Sequence, residues 1–128
     1  MKKPFAFGIL LAALILIVSC SAQTPEPQSV RHVILWTLSD TLTPQQKQQL
    51  IATTAADIAE LPTLIPGVIS MDIYYEGRLE SSNCDFMFDF RFRDEQALQT
   101  FTTHPAHLAA AAKLKPYITG RACLDMRE

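Results

Sequence analysis

The chain has 128 residues, 48% hydrophobic and 19% charged, with a formal net charge of −2, three Cys, four Gly and eight Pro. That is the length of one domain, without room for two independent cores, and the composition excludes a disordered chain, a collagen-like repeat and a disulfide-dense miniprotein. A weakly acidic balance with no Lys/Arg run also argues against a nucleic-acid-binding face, because phosphate recognition needs clustered positive charge.

The apolar content is uneven. Lys2 and Lys3 precede an apolar stretch from Phe5 to Val18, followed by Ser19 and Cys20. The stretch is too short for a comfortable membrane span of about 20 residues, and its charged start and small residue before the cut fit a secretory signal. Ile17-Val18-Ser19-Cys20 is similar to the bacterial lipobox. The resemblance implies cleavage before Cys20, diacylglycerol on its sulfur and an acyl (palmitate-type) chain on its new amine. Several acyl chains on one residue give a stable anchor where one chain is marginal. Residues 1–19 therefore read as a lipoprotein signal peptide. Their removal leaves 109 residues and takes away Lys2 and Lys3, so nine basic residues face thirteen acidic ones and the mature formal charge is −4. Residues 20–29 read as the lipidated Cys and a flexible tether. Its polar, Pro-containing part, Ser21 to Ser29, reaches about 25–30 Å at roughly 3 Å per residue.

The folded domain is expected over residues 30–128. Val30 to Leu38 reads as a central strand, with His32, Ile34, Trp36 and Leu38 on one face and Val33, Leu35 and Thr37 on the other. Thr43 is the predicted N-cap of a helix with Pro44 at its first position and Gln46 completing a capping box. Its apolar stripe is Leu50, Ile51, Ala55, Ile58 and Leu61, and Pro62 and Pro66-Gly67 end it. Val68 to Tyr75 is a second strand and Glu76 to Asn83 a loop. Cys84 to Phe92 is a third strand with strict period-2 alternation: Phe86, Phe88, Phe90 and Phe92 on one face, Asp85, Met87, Asp89 and Arg91 on the other. Asp94 caps a short helix bearing Ala97, Leu98 and Phe101; His104-Pro105 breaks it; Ala106 to Lys115 restarts as an Ala-rich helix; and Tyr117 to Met126 is the last strand.

The order β-α-β-β-α-β is the ferredoxin-like split βαβ pattern, an α+β fold with a four-stranded antiparallel sheet in the order 4-1-3-2 and helices on one face. The uncovered face is expected to hold Val33 and Leu35 with Asp85, Asp89 and Arg91. Half apolar and half charged, it suits a face-to-face homodimer. Cys84 opens the third strand and Cys123 lies late in the fourth, two inter-strand spacings (roughly 9–10 Å) away. That exceeds the ~7 Å Cα separation a disulfide can bridge, so no pairing is expected even in a compartment that permits it.

Arg31-His32-Val33-Ile34-Leu35, Ile65-Pro66-Gly67-Val68, Phe92 before Asp94-Glu95-Gln96-Ala97-Leu98, Phe101-Thr102-Thr103-His104-Pro105-Ala106-His107 and the closing Leu124-Asp125 together resemble the Dabb family, the stress-responsive A/B barrel domain. The similarity runs over about residues 30–126 and implies a ferredoxin-like protomer in a homodimeric α+β barrel. One plant member closes a linear polyketide by aldol chemistry without metal or cofactor. Its site resembles His32 and His107, plus a Tyr at the position of Phe101. A His base that removes a carbon-bound proton needs a donor for the developing oxyanion, and losing one such donor costs on the order of 3–4 kcal/mol. Phe101 cannot donate.

The candidate catalytic residues are thus His32 and His107, since His alone titrates near neutral pH unaided. Trp36, Phe101 and His104 are candidate pocket residues. The structural alternatives are a core-edge His32 bonded to backbone, a helix-capping His104 and a His107 packed near a helix start. His104 and His107 lack further ligands for a metal, so neither metal nor cofactor is expected. The Phe-rich face of the third strand puts large rings where a cavity would be needed. The sequence favours a membrane-tethered envelope lipoprotein whose dimeric domain binds a small apolar ligand or a partner without catalysis. The competing reading is a cofactor-free cyclase or lyase-type enzyme using His107 and His32 for proton transfer.

Overall fold

The computed structural model describes residues 26–128; the expected signal peptide, Cys20 and most of the expected tether lie outside the described residues. The elements are β1 (Val30–Leu38), α1 (Pro44–Ala59), a single turn α2 (Leu61–Leu64), β2 (Val68–Tyr74), β3 (Phe86–Phe92), α3 (Glu95–Thr103), α4 (Pro105–Leu114), a 3-10 turn (Lys115–Tyr117) and β4 (Ile118–Arg127). The sheet runs β2-β3-β1-β4 and every neighbouring pair is antiparallel, as the split βαβ order requires. Among the described residues no helix is long and apolar enough to cross a membrane.

Helix starts follow the residues that announce them. The Thr43 hydroxyl accepts from the Gln46 N–H at 3.2 Å and the Gln46 side chain accepts from the Thr43 N–H at 2.8 Å, closing the capping box. Asp94 accepts from the Ala97 N–H at 2.7 Å, and Pro105 occupies the first turn of α4. Pro62 behaves differently from expectation. It does not simply end α1 but sits in the first turn of α2, where its missing N–H is no loss. Gly67 then turns the chain into β2 with φ +87°. A Cβ at Gly67 would stand 2.5 Å from the Ala97 Cβ, so glycine is required there by backbone conformation and by the approach of α3 together.

Phe86, Phe88, Phe90 and Phe92 are all buried, under the helices, with Ile51, Ile58, Leu61, Ala97, Phe101 and Leu114 among the residues that cover them. The rings interlock: Phe86 to Phe88 is 5.2 Å between centroids, Phe88 to Phe90 4.9 Å, and Phe92 to Phe101 5.0 Å. The opposite face carries Val33 and Leu35 as expected, with Asp89 paired to Arg31 through two hydrogen bonds of 2.8 and 2.6 Å. The Arg31 hydrogen bond holds the Asp89 carboxyl below its ordinary pKa despite burial.

Asp85 is a correction. β3 begins at Phe86 rather than Cys84, and Asp85 leaves the open face. Its N–H donates to the Trp36 carbonyl at 2.7 Å, and its buried carboxylate accepts from the Leu38 N–H at 2.7 Å and from Lys47 of α1 at 3.4 Å. A carboxylate that would be stranded at the end of a strand instead joins β1, α1 and the start of β3. Cys84 and Cys123 are free thiols. Cys123 pairs with Ile34, whereas Cys84 lies two residues before Phe86, the partner of Trp36. They are separated along the strands as well as across them.

Candidate functional site

The four stacked phenylalanines do not close the interior. The helices pack on β2 and β3, and the inner face of β4 stays uncovered: Arg121, Cys123, Asp125 and Arg127 are all exposed. Between α1, α4 and the β1–β4 side lies a cavity of about 470 Å³, lined by Ile34, Trp36, Thr54, Ile58, Phe88, Phe90, Phe101, His107, Ala110, Ala111, Leu114, Lys115, Ile118 and Arg121. Phe88, Phe90 and Phe101 wall this cavity rather than fill it. Two consecutive alanines of α4 supply the room. Thr54 brings the only hydroxyl of the lining, and it is committed to the Leu50 carbonyl at 2.8 Å.

Three of the sequence-predicted residues, Trp36, Phe101 and His107, line the cavity. His32 and His104 are not part of its wall. His104 is the N-cap of α4, its Nδ1 accepting from the Ala106 N–H at 3.1 Å, so its lone pair is used to satisfy a helix end. His32 is buried, with Phe90 and Phe92 each at 6.3 Å between ring centroids. His107 packs on Phe101 at 4.3 Å, and Phe101 on Phe90 at 6.0 Å, so the two histidines meet the same aromatic cluster from different elements.

His107 has the geometry of a free base. Its Nδ1 lies 3.3 Å from the Thr102 carbonyl, which can only accept, so Nδ1 carries the proton and Nε2 holds the lone pair. Half-burial lowers its pKa below 6.5, and the neighbouring His32 and His104 push the same way, against the raising effect of the Thr102 bond. It is therefore neutral at neutral pH. Thr102 belongs to the last turn of α3, where carbonyls have no intrahelical partner. The His104-Pro105 break thus exposes the acceptor that sets the His107 tautomer.

His32 takes a partner that sequence reasoning did not single out as a site residue. Its Nδ1 donates to the Asp125 carboxylate, directly opposite it across the β1–β4 ladder. Cys123 Sγ stands 3.8 Å from both groups. The donor atoms of His32, Cys123 and Asp125 lie within 4.8 Å of one another, a set of three with the mixed N, S, O character that suits a borderline cation such as zinc. The His32–Asp125 pair also satisfies both groups without a cation. Burial, then the Asp125 charge, raises the Cys123 thiol pKa, so Cys123 is protonated at neutral pH and is no thiolate nucleophile. Only the register could have revealed this cluster, because 93 residues separate His32 from Asp125.

A split βαβ sheet with one helix-covered face and a cavity under α4 defines a ferredoxin-like α+β domain. Residues 30–128 match the Stress responsive A/B Barrel Domain, and the chain belongs to this Dabb family. It is similar in fold to a dimeric ferredoxin-like protein of unknown function from Bacteroides fragilis, with 22% identity, 78% of this chain and 96% of that one covered, and a TM-score of 0.73. It is also similar to the hydroxynitrile lyase of Passiflora edulis, with 17% identity, 80% and 94% covered, and a TM-score of 0.65. A third similar structure is a mutant form of SnoaB, a cofactor-independent oxygenase from Streptomyces nogalater, with 19% identity, 77% and 91% covered, and a TM-score of 0.56. No curated protein matches the sequence significantly.

The state of His107 is open to direct measurement. Because its folded-state pKa lies below the unfolded value, the folded protein binds fewer protons and loses stability as pH falls below about 6.5. Proton NMR titration will place the His107 midpoint below 6.5. The urea midpoint will fall between pH 7.5 and pH 5 by less in His107→Gln than in the wild type. A His107 midpoint above 6.5 would reverse the assignment.

Proposed function

We propose that the chain is a lipid-anchored envelope protein whose homodimeric Dabb domain binds a small apolar ligand without catalysis. The observation that carries this reading is the cavity: about 470 Å³ is within the usual range for small-molecule sites, and its wall is mostly apolar. Filling it tests the reading. The neutral fluorophore N-phenyl-1-naphthylamine will bind the purified protein with enhanced emission, and Ala111→Trp will weaken that binding at least ten-fold while leaving the fold intact by circular dichroism. Unchanged binding in Ala111→Trp would remove the cavity as the site.

A proton-transfer enzyme is the second reading, favoured by a neutral His107 whose Nε2 is uncommitted. Two proteins of similar fold are named for activities, a hydroxynitrile lyase and a cofactor-independent oxygenase. Against it, Phe101 offers no donor beside His107, and His32 with Asp125 stands outside the cavity wall. In His107→Gln the binding reading expects any cellular phenotype to follow the fluorophore affinity, the two being kept or lost together. A lost phenotype with intact binding would favour the enzyme.

The dimer is supported by the open face. Leu35 is 38% exposed and Leu124 57% exposed, and Leu124 pairs with Val33 in the register, which makes a contiguous apolar patch on the uncovered side. The similar protein from Bacteroides fragilis is described as dimeric. Sedimentation equilibrium will give twice the chain mass, and Leu124→Arg will return it to one; a wild type that sediments as a monomer at micromolar concentration would refute the dimer.

The anchor rests on Lys2, Lys3, the apolar Phe5 to Val18 stretch and Ile17-Val18-Ser19-Cys20. Radiolabelled palmitate will be incorporated by the wild type and not by Cys20→Ala. Equal labelling of the two would end the lipoprotein reading.

A further inference from the structure

The charges around the cavity have one sign. Lys115 and Arg121 are its only ionised lining residues, both exposed and so placed at its rim, and no Asp or Glu lines it. Among the described residues neither cation is in an ion pair. The Arg121 guanidinium stands 5.5 Å from the centroid of the Trp36 ring, over its face. Two unpaired cations bound the same apolar chamber.

We infer that the cavity takes an amphipathic organic carboxylate, its apolar body against Phe88, Phe90 and Ile58 and its carboxylate at the rim that carries Lys115 and Arg121. This deepens the ligand-binding reading of the cavity and rests on it. Arg121 and Lys115 supply charge complementarity, and guanidinium recognition of a carboxylate is stronger and more directional than that of a neutral oxygen. A neutral ligand of equal apolar area would leave both cations unpaired. A cationic one would meet like charge. The unpaired cations thus set the sign of the head group, and the apolar wall sets the rest of the molecule.

Trp36 is the only tryptophan of the chain, so its emission reports on the site without labelling. Sodium decanoate and 1-decanol, which share a tail and differ in the head, are titrated into the purified full chain at pH 7.5. Decanoate is expected to shift the Trp36 emission and to bind at least ten-fold more tightly than decanol. Arg121→Glu, and the milder Arg121→Gln, are expected to bring the ratio of decanoate to decanol affinity to within about two-fold of unity; Lys115→Glu lowers it further. Equal affinities of decanoate and decanol in the wild type would overturn the carboxylate assignment and leave ligand binding standing. So would a preference that survives both Arg121→Glu and Lys115→Glu. If neither compound shifts Trp36 emission nor displaces N-phenyl-1-naphthylamine, the binding reading of the cavity fails and this inference with it.

Discussion

The structure depends on covering one strand face. β3 alternates phenylalanine with polar or flexible residues over seven positions, and four large rings on one side of a strand cannot face water in a stable monomer. Everything else is arranged around that ledge. α1 and α3 lie over the β2–β3 half of the sheet, α4 packs against α1, and the capped starts at Thr43 and Asp94 and the glycine turn at Gly67 fix where each helix leaves the strands. A helix layer centred on β2 and β3 cannot also reach β4. The cavity is the space left where the cover ends, and the exposed Arg121, Cys123 and Asp125 are the part of the sheet it does not reach.

The two helical halves after β3 show how a sequence feature that reads as a defect becomes a device. Pro105 removes a backbone donor and ends α3, leaving carbonyls in its last turn unpaired. His104 uses its ring nitrogen to cap α4, and His107, in the first turn of α4, donates its Nδ1–H to the Thr102 carbonyl. One histidine is consumed by the break while another is oriented by it. The spacing of three residues that first suggests a metal pair therefore separates two unlike roles: His104 points its lone pair at a helix end and His107 keeps one for the cavity.

Much of the fold was legible because its signals are local. The period-2 run from Phe86 to Phe92, the capping box at Thr43 and Gln46 and the His104-Pro105 break each depend on a handful of adjacent residues. The helical stripe was legible too, except that Thr54 takes a buried position an apolar pattern would have given to another residue; its hydroxyl bonds back to Leu50, which a helix interior allows. What was not legible depends on register and on helix placement. Asp85 alternates correctly for the open face, yet the strand begins one residue later and its carboxylate turns toward Lys47. Asp125 was visible only as part of a family resemblance, because nothing local says that it stands opposite His32. Arg121 and Lys115 look like ordinary surface cations until Trp36 and α4 are set beside them.

Trp36 joins the fold to the site. Its ring contacts the aromatic ledge, 6.4 Å from Phe86 and 6.2 Å from Phe88, and on that account its position is fixed by packing. The same packing holds Nε1 where no protein acceptor reaches it. An unsatisfied buried donor costs about 1–3 kcal/mol, and here the fold carries that cost. The same ring lines the cavity and carries Arg121 over its face, so the packing that fixes the aromatic core also fixes where the guanidinium stands at the rim.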